Sequence, residues 1–440
     1  MNQNLLLMTD SYKASHWLQY PEGTTKIYSY IESRGGKYPE TLFFGLQYLL
    51  RILEKGITEE DVWEADAFFE VHGVPFNLDG FLYIVNEHGG KLPVEIKAIA
   101  EGSVVPAHTP LLTIENTDPS CYWLTCYLET MLLRVWYPTT VATRSWYAKK
   151  IIKTYPDQTA DDTEAELSSK LHDFGARGAS SHESAAIGGM AHLVNFTGSD
   201  TVEGVILANK VYKCDMSAFS IPAAEHSTIT AWGKENEVEA YRNILKQFAK
   251  ADSLVAVVSD SYDIYNAVEN IWGEELRQEV VDSGATIVIR PDSGHPPEIV
   301  SKVLKILDKK FGSTENARGY RVLDNVRVIQ GDGIDLDMIH EILDKLKNEG
   351  YSASNIVFGM GGYLLQKLNR DTQKFAMKCS YAEINGPGRD VFKDPVTDKG
   401  KTSKRGRINN SSLETVFLDG EIVKEYTLDQ VRVKAARALE

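Results

Sequence analysis

Long uninterrupted apolar runs are missing from this chain, and with them the roughly 20 consecutive apolar residues that a membrane-spanning helix requires. The opening "MNQNLLLMTDSYK" holds only a short apolar stretch and no basic leader, so a cytoplasmic protein is expected. Cysteine is scarce. Cys121, Cys126, Cys214 and Cys379 show neither CxxC spacing nor the density of a secreted disulfide scaffold, and reduced thiols are expected. Positive charge is in deficit: 47 Lys and Arg against 62 Asp and Glu give a formal net charge of −15. That balance argues against a nucleic-acid partner held by broad phosphate neutralisation, so any bound anion needs a local cluster of cations. The chain has no GxxxxGK[ST] and no GxGxxG, which removes the P-loop and the dinucleotide fingerprint. Neither His172 with Asp173 nor His182 with Glu183 has metal-ligand spacing, and no protein-held metal is expected.

What is present is a chain of 440 residues, 43% hydrophobic and 25% charged, long enough for two domains. From about Leu254 a short β-branched run, a few small or polar residues and an amphipathic helix recur. The runs are "LVAVVSDSYD", "TIVIRPDSG", "VRVIQGDG" and "NIVFGMGG". Helical segments such as "EIVSKVLKILDKKFG" and "DLDMIHEILDKLKNEG" lie between them and stop at Gly312 and Gly350. Strands that are apolar along their length are buried on both faces, as in a parallel sheet covered by helices. The rhythm fits an α/β barrel and a doubly wound sheet equally.

The first 120 residues differ. "KIYSYIE", "FLYIVNE", "VEIKAIAEG" and "PLLTIEN" read as strands between Gly, Pro and Asn turns, predicting a β-rich domain. Residues 120–155 read as helical and aromatic, 157–166 as a polar surface loop, and "ETVFLDGEIVKEY" as a final hairpin. The expected domains are 1–155, joined by 381–440, and 167–380.

In parallel α/β folds ligands bind at the carboxyl ends of the strands, where loops and helix N-termini converge. This chain places Asp260 and Ser261 there, then Arg290, Asp292, Ser293 and Gly294, then Gly331, Asp332 and Gly333, then Gly359, Gly361 and Gly362. Glycines let a phosphate approach the backbone, arginine forks onto phosphate oxygens, and carboxylates hold hydroxyls or hydrated magnesium. The set suits a phosphorylated sugar, although any one of these loops could be plain helix capping and turn chemistry. Upstream, "LHDFGARGASSHESAAIGGMAHLVNFTGSDTVEG" carries Phe174, Arg177, Glu183 and Asp200; pattern alone favours a packed helix between two strands with Phe174 in the core. "SIPAAEHSTITAWG" offers Glu225 and His226, and a lone histidine is more often structural than catalytic. Lys393, Lys399, Lys401, Lys404, Arg405 and Arg407 form a basic island, by default a solvated loop and more sharply a phosphate clamp.

Taken jointly, "TDSYKASHWLQYP", "LHDFGARG", "NFTGSDT", "PAAEHSTITAWG", "VSDSYDIYN", "IRPDSGHP", "VIQGDGID", "LLQKLNRD", "MKCSY" and "VFKDP" occur in the order and style of the nicotinamide phosphoribosyltransferase family. The resemblance runs from Asp10 to about Arg407. It implies a type II phosphoribosyltransferase-like fold, an irregular α/β barrel with a second, β-rich α+β domain. It also implies a homodimer with active sites at its interface, which makes nicotinamide mononucleotide and pyrophosphate from nicotinamide and phosphoribosyl pyrophosphate with magnesium. By motif, Phe174 and Tyr12 of the partner subunit resemble the two faces of the nicotinamide slot, and Asp200 the acceptor for the carboxamide nitrogen. Arg177, His226 and Arg290 resemble the diphosphate contacts. Arg290, Asp292, Gly331, Asp332, Gly361 or Gly362, and Arg370 resemble the mononucleotide-binding set, and Lys393 and Lys401 the lysines reaching phosphate from the adjoining subunit. Asp260 and Asp292 would offset charge on the reacting ribose, and His226 implies an optional coupling to ATP. Departures from the pattern are Ala176, and Met360 and Tyr363, where smaller residues are expected. A nicotinate-specific transferase is the nearest alternative, and Asp200 argues against it. A sugar-phosphate-binding regulator without turnover and a barrel aldolase are the others; no Schiff-base lysine stands at the ends of the four runs.

Overall fold

The computed structural model describes residues 4–440. Backbone contacts divide the chain into two units. One holds the chain up to Thr143 with Lys210–Lys213 and Leu368–Glu440, the other Arg144–Asn209 with Cys214–Lys367. The chain thus changes unit inside the helix Trp136–Lys153 and returns at Leu368. Among the described residues, no helix is long and apolar enough to cross a membrane.

The first unit is built on a seven-stranded antiparallel sheet, ordered Gly388–Asp390, Phe375–Ile384, Thr24–Ser33, Pro110–Asn116, Val94–Ala98, Glu414–Leu418 and Glu421–Ile422. Its core gathers Phe43, Phe69, Phe81, Trp123 and Tyr127. "FLYIVNE" is not a strand. It lies in the helix Leu78–His88, whose start is capped by Asn77 accepting from the Gly80 N–H and whose end is left-handed Gly89. Phe81 and Ile84 are the residues it buries, three apart, and so short an apolar run fits either period. The final hairpin forms around Asp419 and Gly420, both at positive φ. A helix the sequence reading did not anticipate, Leu428–Arg437, follows it, held by a Thr427/Gln430 capping box.

The second unit carries six parallel strands in the order Gly198–Ser199, Leu171–Asp173, Ile356–Met360, Val326–Gln330, Thr286–Arg290 and Leu254–Val258. The helices Pro296–Phe311 and Leu336–Asn348 end at the two expected glycines, Gly312 and Gly350, each at positive φ. The expected surface loop at 157–166 is instead largely helical, Pro156–Thr159 and Thr163–Leu167, the second started by the Asp162 carboxylate accepting from the Ala165 N–H. Local capping chemistry outweighed polar composition there. The segment 219–223 decides between open and closed sheet. Phe219 bridges to Gly198 at one edge and Ala223 to Ala256 at the other. The Phe219 N–H donates to Thr197 at 2.8 Å and the Ala256 N–H to Pro222 at 2.9 Å. The sheet therefore closes through an irregular seam, giving an irregular α/β barrel.

Side chains alternate across a strand, so one residue in two faces the barrel interior. Lys170, His172 and Phe174, then Leu254 and Ala256, Val288, Arg327 and Ile329, and Val357 line a single cavity of about 470 Å³.

Candidate active site

The same alternation, carried to the last paired residues and one or two steps past them, delivers the chemical groups. Asp260 continues the face of Leu254 and Ala256, Arg290 and Asp292 that of Val288, Gly331 that of Ile329, and Gly359 and Gly361 that of Val357. Six side chains meet at these ends: His226, Asp260, Ser261, Arg290, Asp292 and Ser293. His226 Nε2 lies 3.3 Å from Asp292 Oδ2 and 3.8 Å from Asp260 Oδ1, with Nδ1 3.2 Å from Ser261 Oγ. Arg290 Nε lies 3.8 Å from Asp292 Oδ1. Asp260 Oδ2 accepts from the Asp292 N–H at 2.9 Å and from Ser293 Oγ at 2.6 Å, which fixes the "RPDS" turn against the neighbouring strand end. Asp260 Oδ1 and Arg290 Nε are buried without a hydrogen-bond partner. Buried polar atoms left this way are uncommon and suit a site that a ligand completes. His226 opens the helix His226–Thr230 behind a Glu225/Thr228 capping box.

Phe174 is half-buried, not a core residue. Its N–H donates to Met360 at 3.0 Å, and its ring lies on the apolar floor made by Ala256, Val288 and Ile329. Asp200 lines the same cavity and is exposed; its N–H donates to Asp173 at 2.9 Å and its Oδ1 accepts from Ser220 Oγ at 2.6 Å. Asp173, fully buried beside them, accepts from the Gly175 N–H at 2.7 Å. Burial pushes its carboxyl from 3.8 up to about 6, the Gly175 N–H opposing. At the far end of the cavity Lys170 donates to Ala353 at 2.9 Å and pairs with Glu166 at 2.9 Å, and burial pushes its ammonium down.

Arg177 is exposed on the turn Ala176–Gly178, and Glu183 sits in the first turn of the helix His182–His192. Asp332 and Gly362 are exposed, and a Cβ placed on Gly362 would meet nothing within 4 Å. Backbones approach closely here: a Cβ on Gly178 would stand 3.2 Å from the Gly362 Cα.

In the first unit Tyr12 is 58% exposed, its ring edge-on to His16 at 4.9 Å with Lys13 Nζ 5.2 Å from its centroid. Lys13 is buried and pairs with Glu129 at 2.6 Å. A separate polar cavity of about 210 Å³ collects Arg34, Glu129, Arg370, Lys378, Lys393 and Lys401. Arg34 and Lys378 escaped the sequence reading, although Lys378 stands inside "MKCSY", a motif it singled out. The rest of the basic island has other work. Lys404 pairs with Glu32 at 2.7 Å, Arg407 with Glu115 at 2.9 Å and Lys399 with Asp394 at 2.8 Å, and the Arg405 guanidinium covers Phe392 at 3.5 Å.

A closed parallel α/β sheet with acids, an arginine and glycines at its strand ends, above an aromatic cavity, defines a protein with the type II phosphoribosyltransferase fold. A crystal structure of human nicotinic acid phosphoribosyltransferase superposes with a TM-score of 0.61 at 16% identity, over 98% of this chain and 93% of that one. Residues 169–421 match the nicotinate phosphoribosyltransferase (NAPRTase) family, and residues 4–96 match the nicotinamide phosphoribosyltransferase N-terminal domain. A nicotinamide phosphoribosyltransferase of Xanthomonas campestris pv. campestris is 52% identical over 99% of this chain and 98% of its own length. Another, from Acinetobacter baylyi, is 32% identical over the same shares of both chains. This chain belongs to the nicotinamide phosphoribosyltransferase family.

Proposed function

We propose that the protein transfers the phosphoribosyl group of phosphoribosyl pyrophosphate to the ring nitrogen of nicotinamide, releasing pyrophosphate, as a cytoplasmic homodimer. The observation that carries this reading is that the barrel puts Phe174 and Asp200 on one cavity and Arg290, Asp292, Asp260 and His226 at the ends of its strands. An aromatic face with a carboxylate acceptor suits a flat, uncharged carboxamide. Stacking on Phe174, and on Tyr12 of the partner subunit, contributes roughly 0.5–1.5 kcal/mol per ring pair without requiring charge on the ligand. Asp200, held by Ser220, accepts from the carboxamide nitrogen; nicotinate brings a carboxylate there, losing the donor and adding repulsion.

The pyridine nitrogen attacks with its own lone pair, so no general base is required. The residues hold that nitrogen in line behind the anomeric carbon and stabilise the leaving anion. Arg177, His226 and Arg290 bind the diphosphate. Asp260 and Asp292 face the positive charge that develops on the ribose. Gly331, Asp332, Gly361 and Gly362 hold the ribose phosphate, and Arg370, Lys393 and Lys401, which share one cavity, reach phosphate from the adjoining subunit. Magnesium fits this donor set, since Asp260 Oδ1 is a buried carboxylate oxygen without a hydrogen-bond partner next to Asp292. The two carboxylates would hold the ion's water shell, and the ion would neutralise diphosphate charge. His226, half-buried with both ring nitrogens near acceptors, is the group through which ATP would couple.

The test is product analysis after incubation with phosphoribosyl pyrophosphate, magnesium and either nicotinamide or nicotinate. Nicotinamide mononucleotide with stoichiometric pyrophosphate is expected. Faster turnover of nicotinate would reassign the substrate, and binding of the sugar phosphate without pyrophosphate release would reassign the protein as a sensor.

A further inference from the structure

We propose that Gly359 is a positioning residue for the heterocycle: its missing side chain sets the depth at which the Phe174 ring rests. Gly359 lies inside the strand Ile356–Met360, paired with His172. Its φ is not positive, so the backbone does not demand glycine there. A glycine in a strand interior weakens the strand, and one that the backbone does not require marks a close approach by another group. That group is Phe174. A Cβ on Gly359 would stand 2.0 Å from Phe174 Cε2, 2.2 Å from Cδ2 and 2.9 Å from Cζ. On the next strand end, a Cβ on Gly331 would stand 3.3 Å and 3.4 Å from the same Cε2 and Cδ2. One edge of the ring is therefore laid across the glycines of two adjacent strands.

The ring has no easy retreat. Carbon atoms prefer about 3.5–4.0 Å, so a methyl group at 359 requires a shift of roughly 1.5–2 Å. Phe174 cannot supply it through its backbone, because its N–H is bonded to Met360 and the preceding residues are paired with Gly359 and Met360. The ring must swing, and the floor of Ala256, Val288 and Ile329 leaves the ligand side of the cavity as the direction of travel. A misplacement of about 1 Å in a reacting geometry can cost on the order of 100-fold.

This inference rests on the nicotinamide reading above, and the two fail separately: wild-type protein that makes no nicotinamide mononucleotide fails the reading before any variant is compared. With wild-type turnover in hand, Gly359→Ala is expected to raise KM for nicotinamide about tenfold or more while KM for phosphoribosyl pyrophosphate stays within about threefold, because the charged groups for the sugar phosphate, Asp260, Arg290 and Asp292, stand on other strand ends and a Cβ on Gly361 or Gly362 does not meet the Phe174 ring. Leucine lacks Cε2 and Cζ, and its δ methyl groups are free to rotate away from position 359. In a Phe174→Leu background, itself impaired, Gly359→Ala should therefore add less than about a twofold further change. An unchanged KM for nicotinamide in G359A, equal rises in both KM values, or costs that simply multiply in the double variant would overturn the proposal. If G359A fails to fold, the double variant should fold; failure of both would mean that the glycine serves the strand and not the ring.

Discussion

Asp173 and Asp200 are joined by one backbone hydrogen bond and live in opposite conditions, and each predicts a different experiment. Asp173 is fully buried, with Asp200 and Glu203 adding like charge, and its carboxyl is held up at about 6 from an ordinary 3.8. Between those values the folded state binds a proton that the unfolded state has released. The stabilisation from the neutral acid is therefore complete below about pH 4 and lost as pH rises to about 6. Two pKa units correspond to about 3 kcal/mol. Asp173→Asn, neutral throughout, should gain stability over the wild type as pH rises through this window, read as a divergence of urea midpoints. Parallel midpoints at every pH would mean that the carboxyl is not buried as described. Asp200 is exposed and oriented by Ser220, so its substitution should act on recognition instead of stability. Asp200→Asn should cut the ratio of kcat/KM for nicotinamide over nicotinate at least tenfold, on the principle that an amide no longer repels a carboxylate, with phosphoribosyl pyrophosphate binding little changed. A ratio that stays put would remove Asp200 from the specificity argument.

The turn 361–367 accounts for a departure noticed in the sequence. Tyr363 stands where the family resemblance suggests a smaller side chain, and the fold supplies it with Arg144, a guanidinium only 1% exposed. Arg144 donates to the carbonyls of Tyr363 and, at 2.8 Å, of Lys367, and lies 4.3 Å from the Tyr363 ring centroid. It thus holds both ends of the turn that follows Gly361 and Gly362. Arg144→Met should lower the thermal midpoint, since two part-buried carbonyls lose a charged donor at a cost of about 1–3 kcal/mol in all, and should raise KM for phosphoribosyl pyrophosphate more than KM for nicotinamide. Arg144→Lys, which keeps the charge and loses the fork, should recover only part. Equal effects on both substrates would make Arg144 a stability residue alone. Much of this was readable beforehand. The βα rhythm from Leu254 and the spacing of Arg290 and Asp292 follow from side-chain alternation, which local sequence encodes. The seam at 219–223 was not readable, because its two bridges pair it with strands distant in sequence and "FSIPAA" holds a proline. The helix Leu78–His88 was misread because its apolar run fits both periods, and Leu428–Arg437 was missed because Leu428, Val431 and Ala435 are a thin apolar stripe among polar residues.

At the scale of the molecule, a chain of net charge −15 has to hold one heavily phosphorylated substrate. Its cations are concentrated locally: Arg34, Arg370, Lys378, Lys393 and Lys401 share one cavity in the first unit, while Arg177 and Arg290 belong to the second. Lys210–Lys213 shows how firmly a unit recruits distant chain, for Tyr212 donates to the buried Glu101 at 2.5 Å and stacks on Phe44 at 4.8 Å, a tie no local pattern announces. The proposed division of the active site, with Tyr12 and the lysines given to a neighbour's Phe174 and Arg290, has a numerical consequence. Tyr12→Ala and Arg290→Ala proteins should each lose most of their activity as homodimers at nicotinamide concentrations near the wild-type KM. Unfolded together and refolded in equal amounts, they form hybrids in about half of all dimers, and each hybrid holds one site with both residues intact. Activity should return to about a quarter of the wild-type level, with a wild-type KM for nicotinamide, because every active site is chemically complete. If Tyr12 instead serves its own chain, each site in every dimer lacks one residue and mixing recovers nothing. Purification of the hybrid through two different affinity tags separates failure to mix from failure to share, so a proven hybrid without activity would refute the shared site.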